Sequence, residues 1–103
     1  MQNLSTFWNR SIIFAEIGYC SNFGTNINPG SCWSQESNTS ALDLTAQSNC
    51  YSAFFQAIWS KQNWFNGVFF WGWTTDPNAG GVKDEGYTPN GKPSADVCKQ
   101  YWS

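Results

Sequence analysis

One acidic residue stands inside a short apolar stretch, residues 12 to 19, which reads IIFAEIGY. A run this rich in β-branched and aromatic residues is typical of a strand that is buried on both faces of a parallel sheet. Because burying an unpaired charge is expensive, Glu16 needs a reason to be there. At the carboxyl end of a parallel barrel strand the reason is usually catalysis. The alternative is that the strand ends at this point and turns the carboxylate to solvent.

Aromatic residues are the second chemical feature. They make up 18% of the chain and include seven tryptophans. Such a content suits either stacking on sugar rings or a dense aromatic core, and composition does not choose between them. The chain has no histidine, which excludes Ser-His-Asp and Cys-His catalysis and removes the commonest transition-metal ligand. With a net charge of −2 there is no basic patch for nucleic acid, so nucleic-acid binding is set aside.

Four cysteines, Cys20, Cys32, Cys50 and Cys98, occur without a C-x-x-C pair, so a structural zinc site is not expected. An even number permits two disulfides in an oxidising compartment. Cys20 and Cys32 fall in one predicted loop and are the favoured pair. Cys50 and Cys98 each fall in a predicted helix, where a buried free thiol is expected.

Three N-glycosylation patterns, at Asn3, Asn9 and Asn38, point with the cysteines towards an extracellular or secretory location. The amino terminus lacks the charged start and long apolar run of a signal peptide. No apolar run is long enough for a membrane span, so no membrane association is expected.

Two strands are predicted to carry these residues. The first covers about residues 12 to 17, and alternation places Ile12, Phe14 and Glu16 on one face with Ile13, Ala15 and Ile17 on the other. The second is predicted at residues 68 to 73, VFFWGW, with Phe69, Trp71 and Trp73 on one face and Phe70 on the opposite one. Gly72 interrupts this strand, as happens at a bulge or where a ligand comes close.

Two helices follow the strands in the chain. Ser40 is predicted as the N-cap of a capping box with Asp43, and the helix runs to about Lys61. Pro93 opens a second helix that ends near Tyr101, with proline in the tolerated first turn. Residues 1 to 10 are interpreted as the tail of a preceding helix, and two loops rich in Gly, Asn, Ser and Pro complete the chain.

The order strand, helix, strand, helix predicts an α/β protein with a βαβ crossover and parallel pairing. Two parallel strands neither close a barrel nor cover both of their own faces. The chain of 103 residues is therefore expected to be one incomplete domain, a piece of a larger sheet.

The run IIFAEIGY, followed by GVFFWGWTTDPNAGG and then GYTPNGKPSADV, resembles the carboxyl-terminal quarter of a (β/α)8-barrel glycoside hydrolase. More closely, it is similar to the β-mannanase-like glycosidases of glycoside hydrolase family 113. The resemblance covers about residues 12 to 101. It implies a partial TIM barrel, in which the two strands and two helices are the equivalents of strand 7, helix 7, strand 8 and helix 8.

The same resemblance implies a site and a chemistry. Retaining glycosidases use two carboxyl groups about 5–5.5 Å apart, one as nucleophile and one as general acid/base. The nucleophile ends strand 7 and corresponds to Glu16. Tyr19 is close enough to it in the sequence to be a hydrogen-bond donor to the carboxylate, and the alternative is that Tyr19 caps the end of the barrel. The tryptophan of strand 8 that lines the sugar subsite corresponds to Trp71, with Trp73 second. The implied substrate is a β-linked polysaccharide or oligosaccharide such as β-mannan, and no cofactor or metal is implied.

One departure from the family pattern is expected to matter. The acid/base of these enzymes lies in an Asn-Glu pair at the end of strand 4, and the chain contains no Asn-Glu. Strands 1 to 6 are missing, so the amino-terminal part of a barrel is the expected partner and the chain alone is predicted to be inactive. Two alternatives stand beside this interpretation. One is a non-catalytic carbohydrate-binding module with a β-sandwich, and the other is a small secreted protein held by two disulfides.

Overall fold

A computed structural model describes residues 1–30 and 41–102 of the chain. In order along the chain the elements are α1 (Gln2–Trp8), β1 (Ile12–Ile17), α2 (Leu44–Phe54), a π-helical turn (Phe55–Trp59), β2 (Phe65–Phe70) and α3 (Pro93–Trp102). Cys32, Asn38 and Ser40, to which the sequence assigned a disulfide, a glycosylation pattern and a helix cap, lie outside the described residues.

The two strands pair in parallel, as the βαβ pattern predicted. The predicted bounds of β2 were wrong, because pairing starts three residues earlier and ends before Trp71. Ile12 N already donates to Trp64 O at 2.7 Å, and Gly67 lies in the ladder opposite Ile13 rather than in the preceding turn. Gly67 thus lies next to the shift of register between Ile12 and Ile13.

Strict alternation along β1 was also wrong. The ladder changes register between Phe14 and Ile17, so both of these side chains pack against the helices. Ala15 and Glu16 consequently lie on the exposed side of the strand. One irregularity in the ladder is enough to change which side chains share a face, because the side-chain period of a strand is two.

Helix α2 begins three residues later than predicted. Asp43 is itself the N-cap, and its Oδ1 accepts a hydrogen bond from Ala46 N at 2.8 Å. Aspartate is among the preferred N-cap residues, and here it satisfies an amide that the helix leaves without a partner. The helix ends in the π-helical turn at Trp59 rather than at Lys61. Helix α3 begins at Pro93 as predicted and extends one residue beyond Tyr101.

The core lies between the sheet and helices α2 and α3. Its fully buried members are Tyr51, Phe54, Phe55 and Cys98. Around them pack ten partly buried side chains: Phe14, Ile17, Tyr19, Ile58, Trp59, Phe65, Val68, Phe70, Val97 and Tyr101. The ring of Phe55 stacks on that of Tyr101 with centroids 4.8 Å apart, which joins α3 to the end of α2. The aromatic side chains on one face of α2 thus form part of the core.

The opposite face of the sheet has no such cover within the described residues. Ile13 keeps 54% of its surface exposed and Phe69 keeps 68%. Because strands in a parallel sheet normally bury both faces, these two strands have the form of one sector of a barrel whose interior side is open. The strand–helix–strand–helix arrangement is the partial barrel that the sequence predicted, and it differs from the β-sandwich of the binding-module alternative.

The cysteines divide as expected in the described residues. Cys20 is disulfide-bonded, whereas Cys50 and Cys98 carry free thiols on α2 and α3. The alternative of a small protein held by two disulfides needs both of these thiols oxidised, and the structure disfavours it. No helix in the described ranges is long and apolar enough to cross a membrane.

Candidate active site

Glu16 stands one residue before the carboxyl end of β1, on the exposed side of the strand. It lines an open cleft of about 380 Å³ together with Gly18, Pro29, Trp71 and Tyr87. We call this the Glu16 cleft. Carboxyl ends of parallel strands are where side chains from different strands converge, so a carboxylate at this point faces whatever occupies the cleft. Its exposure leaves it free to act on a ligand.

Trp71 comes to the same cleft from the second strand. Its amide donates to Ile17 O at 2.8 Å, which continues the ladder one residue past β2 and holds Trp71 beside the Glu16 strand. Gly18 permits this approach, since a Cβ there would lie 3.0 Å from the Trp71 Cβ. The indole keeps 45% of its surface exposed. The structure therefore brings together the predicted nucleophile and the predicted sugar platform.

Tyr87 is the site residue that sequence reasoning missed. Its ring lines the Glu16 cleft, and its hydroxyl donates to Pro29 O at 2.6 Å across the two loops. Gly72, with φ of 73°, makes room for it, because a Cβ there would lie 2.8 Å from the Tyr87 Cβ. The signal that could have found it was this glycine directly after an aromatic strand end, which marks a close approach of another group.

The other two predicted site residues are elsewhere. Tyr19 packs edge-on against Tyr51 with ring centroids 5.6 Å apart, on the helix side of the sheet. Burial, with a smaller contribution from Cys50, raises the pKa of its phenol above the ordinary value. Trp73 lies 6.1 Å from the ring of Phe70 and, although partly exposed, does not line the Glu16 cleft. The structure thus joins Glu16 with Trp71 and places Tyr19 and Trp73 outside that group.

A buried lysine fixes the loop that carries Tyr87. Lys92 is only 4% exposed, and its Nζ donates to Ser21 Oγ at 2.9 Å, Asp84 Oδ2 at 2.7 Å and Gly86 O at 2.9 Å. A buried ammonium group is tolerated only when its hydrogen-bonding capacity is used, and here all three donors have acceptors. Ser21 follows β1, and Asp84 and Gly86 lie in the loop after β2. The Lys92 ammonium group therefore connects the segments that follow the two strands.

Gln47 supplies a second link below the cleft. Its Nε2 donates to Tyr19 O at 2.9 Å and to Tyr87 O at 3.0 Å, while its Oε1 accepts from Ser94 Oγ at 2.7 Å. The side chain is fully buried, so its amide is the connection between α2, α3 and the two loops. Buried amides with all partners present specify one arrangement of the backbone around them.

The described residues contain no group of three or more His, Cys, Asp or Glu side chains that could hold a metal ion. What this arrangement offers is an accessible carboxylate beside a partly exposed indole and a phenol ring. A carboxylate can attack an electrophilic carbon or accept hydroxyl protons, and an indole face suits the apolar face of a pyranose. Both properties are those of a carbohydrate site.

Comparison with protein families decides the assignment. The model of Glycoside Hydrolase Family 113 matches residues 1–92. The chain belongs to this family. The match includes both strands, the residues of the Glu16 cleft and Lys92, so this cleft lies inside the family's own region of similarity.

Solved structures agree with this family 113 assignment. A β-1,4-mannanase of family 113, solved as a complex, superposes with a TM-score of 0.78 at 23% identity. The family 113 β-mannanase of Alicyclobacillus acidocaldarius, in complex with ManMIm, gives 0.76 at 26% identity. Each superposition covers 98% of this chain and 32% of the other, so the chain spans about a third of the enzymes it matches. A search of the curated proteins found no significant match.

Proposed function

We propose that this family 113 chain carries the nucleophile of a retaining glycosidase that acts on a β-linked, mannan-type polysaccharide or oligosaccharide. One observation carries the proposal. Glu16 stands exposed at the carboxyl end of β1, in a cleft whose wall is the indole of Trp71. The names of the two similar structures, both β-mannanases, support the choice of substrate class.

In the proposed reaction the Glu16 carboxylate attacks the anomeric carbon of the bound sugar. The bond between that carbon and the leaving oxygen breaks as the ester to Glu16 forms, and the leaving oxygen takes a proton from a general acid. Water then attacks the same carbon and gives its proton to the now deprotonated general acid, while the ester bond to Glu16 breaks and releases the sugar with Glu16 ionised again. Trp71 holds the pyranose ring so that its anomeric carbon faces the carboxylate.

The general acid is proposed to come from a complementary set of barrel strands. Such a partner would cover Ile13 and Phe69 and pair with the free edges of the two-stranded sheet. Both strands are open on their outer sides in the described part of the chain, and an apolar face of this kind favours association over exposure to water. On this proposal the 103-residue chain has no turnover alone.

An extracellular or secretory location is proposed for the same protein. The disulfide at Cys20 supports it, because disulfides persist in oxidising compartments and are rare in the reducing cytosol.

The test joins the chain to the complementary strands of a family 113 β-mannanase and measures release of reducing sugar from β-mannan. We expect turnover with the native sequence. We expect Glu16→Gln to lower kcat at least about 10³-fold, or about 4 kcal/mol of transition-state stabilisation. Glu85→Gln is the matched control, since Glu85 lines no part of the Glu16 cleft.

A second measurement isolates the nucleophile from the general acid. A 2-deoxy-2-fluoro-mannosyl fluoride loses fluoride without needing protonation, so the ester can form without the general acid. Its fluorine at C2 slows the attack of water, so the ester on the attacking carboxylate accumulates. Mass spectrometry of the digested protein should then find the added sugar on the peptide that contains Glu16. Label on a different carboxylate, or full activity of the Glu16→Gln variant, would contradict the assignment.

A further inference from the structure

A second cleft lies next to the Glu16 cleft, and the two share a wall. Its volume is about 410 Å³, within the range of small-molecule sites, and its lining includes Trp71, Gly72, Ala79, Asp84 and Tyr87. Trp71 and Tyr87 line both clefts, so the two aromatic side chains stand between them. We call the second one the Asp84 cleft.

The loop that forms the Asp84 cleft is held in place on both sides. Asn90 Nδ2 donates to Pro77 O at 3.1 Å and to Ala79 O at 2.7 Å, and Gly81 N donates to Asn90 O at 2.8 Å. At the other side Lys92 binds Asp84 and Gly86, as described above. When the walls of a cleft are fixed before a ligand arrives, binding costs less free energy, because no loop has to be ordered.

The chemistry of the walls suits a sugar. Trp71 and Tyr87 provide aromatic surface, and Gly72 and Gly86 contribute backbone to the lining. The Asp84 carboxylate accepts hydrogen bonds from Lys92 Nζ and from Gly86 N through its Oδ2 atom. The side chain is 37% exposed, so Oδ1 is placed to accept a hydrogen bond from a hydroxyl group. Aromatic walls with one convergent acceptor are the usual means of orienting a small polar ligand.

We propose that the Asp84 cleft is a second saccharide subsite, which binds the sugar unit adjoining the one at Glu16 in a β-linked mannan chain. The sugar class rests on the proposed function, whereas the existence of the subsite rests on the cleft itself. Trp71 and Tyr87 line both clefts, so each ring would contact two neighbouring sugar units of one substrate chain. Affinity should therefore increase with the length of the oligosaccharide.

The test is a titration of the full chain followed by two-dimensional ¹H–¹⁵N NMR, with mannose and β-1,4-mannotriose as probes. Gly80 and Gly86 report on the Asp84 cleft, and Gly18 and Gly30 report on the Glu16 cleft. We expect mannotriose to shift the amide signals of both pairs. If the spectrum of the isolated chain is that of an unfolded polypeptide, the titration is made on the chain joined to the complementary barrel strands.

Ala79→Trp fills the Asp84 cleft without touching the Glu16 cleft, and Val82→Trp puts the same side chain at an exposed position of the same loop. We expect Ala79→Trp to weaken mannotriose binding about tenfold and to abolish the shifts at Gly86, with Val82→Trp close to the native chain. Ala79→Phe repeats the test if the larger ring disturbs the fold.

Any one of three results would contradict the proposal that the Asp84 cleft binds a sugar unit. They are unchanged Gly80 and Gly86 signals at saturating mannotriose, equal affinities for the Ala79→Trp and Val82→Trp variants, and no binding of either probe. None of them depends on turnover or on labelling of Glu16. The two proposals can consequently fail separately.

Discussion

The two faces of the small sheet differ sharply. On the helix side Phe14, Ile17 and Phe70 pack into a continuous aromatic core with α2 and α3. On the opposite side Ile13 and Phe69 keep more than half of their surface exposed, and Glu16 lies among them. The difference shows that the described residues pack one face of the sheet with their own helices and leave the other face open. The proposed nucleophile is on the open face.

The largest effect on stability should come from a substitution in the core on the helix side of the sheet. Phe54 is 5% exposed and its ring contacts Phe14, Phe65 and Phe70. Phe54→Ala should lower the free energy of unfolding by about 3–5 kcal/mol, because it removes buried surface and leaves a cavity. Urea unfolding followed by tryptophan fluorescence measures this. A loss below about 1 kcal/mol would mean that the helix layer is not the packed core described here.

The second largest effect on stability should come from the loss of the hydrogen bonds that Lys92 donates to Ser21, Asp84 and Gly86. Lys92→Met leaves Asp84, Ser21 and Gly86 without their shared donor. Breaking a fully buried ion pair costs about 3–5 kcal/mol, but Asp84 is 37% exposed, so we expect about 2 kcal/mol. The same unfolding measurement applies, with the exposed Lys83→Met as the matched control. Equal stabilities of the two variants would show that the contacts of Lys92 do not hold the loop.

A smaller effect is expected from alkaline pH, again on the helix side. Burial raises the pKa of the Cys98 thiol from 9.0 to about 11, and burial likewise raises the pKa of Tyr51 above its ordinary value. The folded chain therefore keeps protons that the unfolded chain loses, so this stability is complete below pH 9 and is lost as the pH rises through about 11. We expect a decrease on the order of 1 kcal/mol over this interval. Cys98→Ala should flatten the profile, and an unchanged slope in that variant would exclude the thiol as its source.

The smallest effect on stability should come from the open face. Phe69 is 68% exposed, so Phe69→Ala should change the free energy of unfolding by no more than about 0.5 kcal/mol. The same variant should instead reduce self-association, measured by analytical ultracentrifugation, because it removes apolar surface from the exposed face of the sheet. A destabilisation as large as that of Phe54→Ala would mean that the inner face is already covered within the chain.

The sequence alone determined which kinds of element form and which residue could react. The apolar stretch around Glu16, the spacing of the α2 aromatics and Pro93 at the start of α3 each depend on local periodicity or on a single backbone preference. These signals are short-range, so they survive without tertiary information. The α/β order and the incomplete sheet followed from them, whereas the TIM barrel and the family came from the resemblance of three longer stretches, IIFAEIGY, GVFFWGWTTDPNAGG and GYTPNGKPSADV.

Tertiary structure decided the register, the faces and the composition of the cleft. The early start of β2 and the change of register between Phe14 and Ile17 depend on how two distant segments pair, which neither segment encodes alone. Tyr19 looked like a site residue because it is near Glu16 in the chain, yet its ring packs on Tyr51. Tyr87 lies far from Glu16 in the sequence but reaches its cleft, because Gly18 and Gly72 leave space for the ring and Lys92 holds its loop. Proximity in a folded chain is set by long-range packing, and for that reason the neighbours of Glu16 could be identified only from the fold.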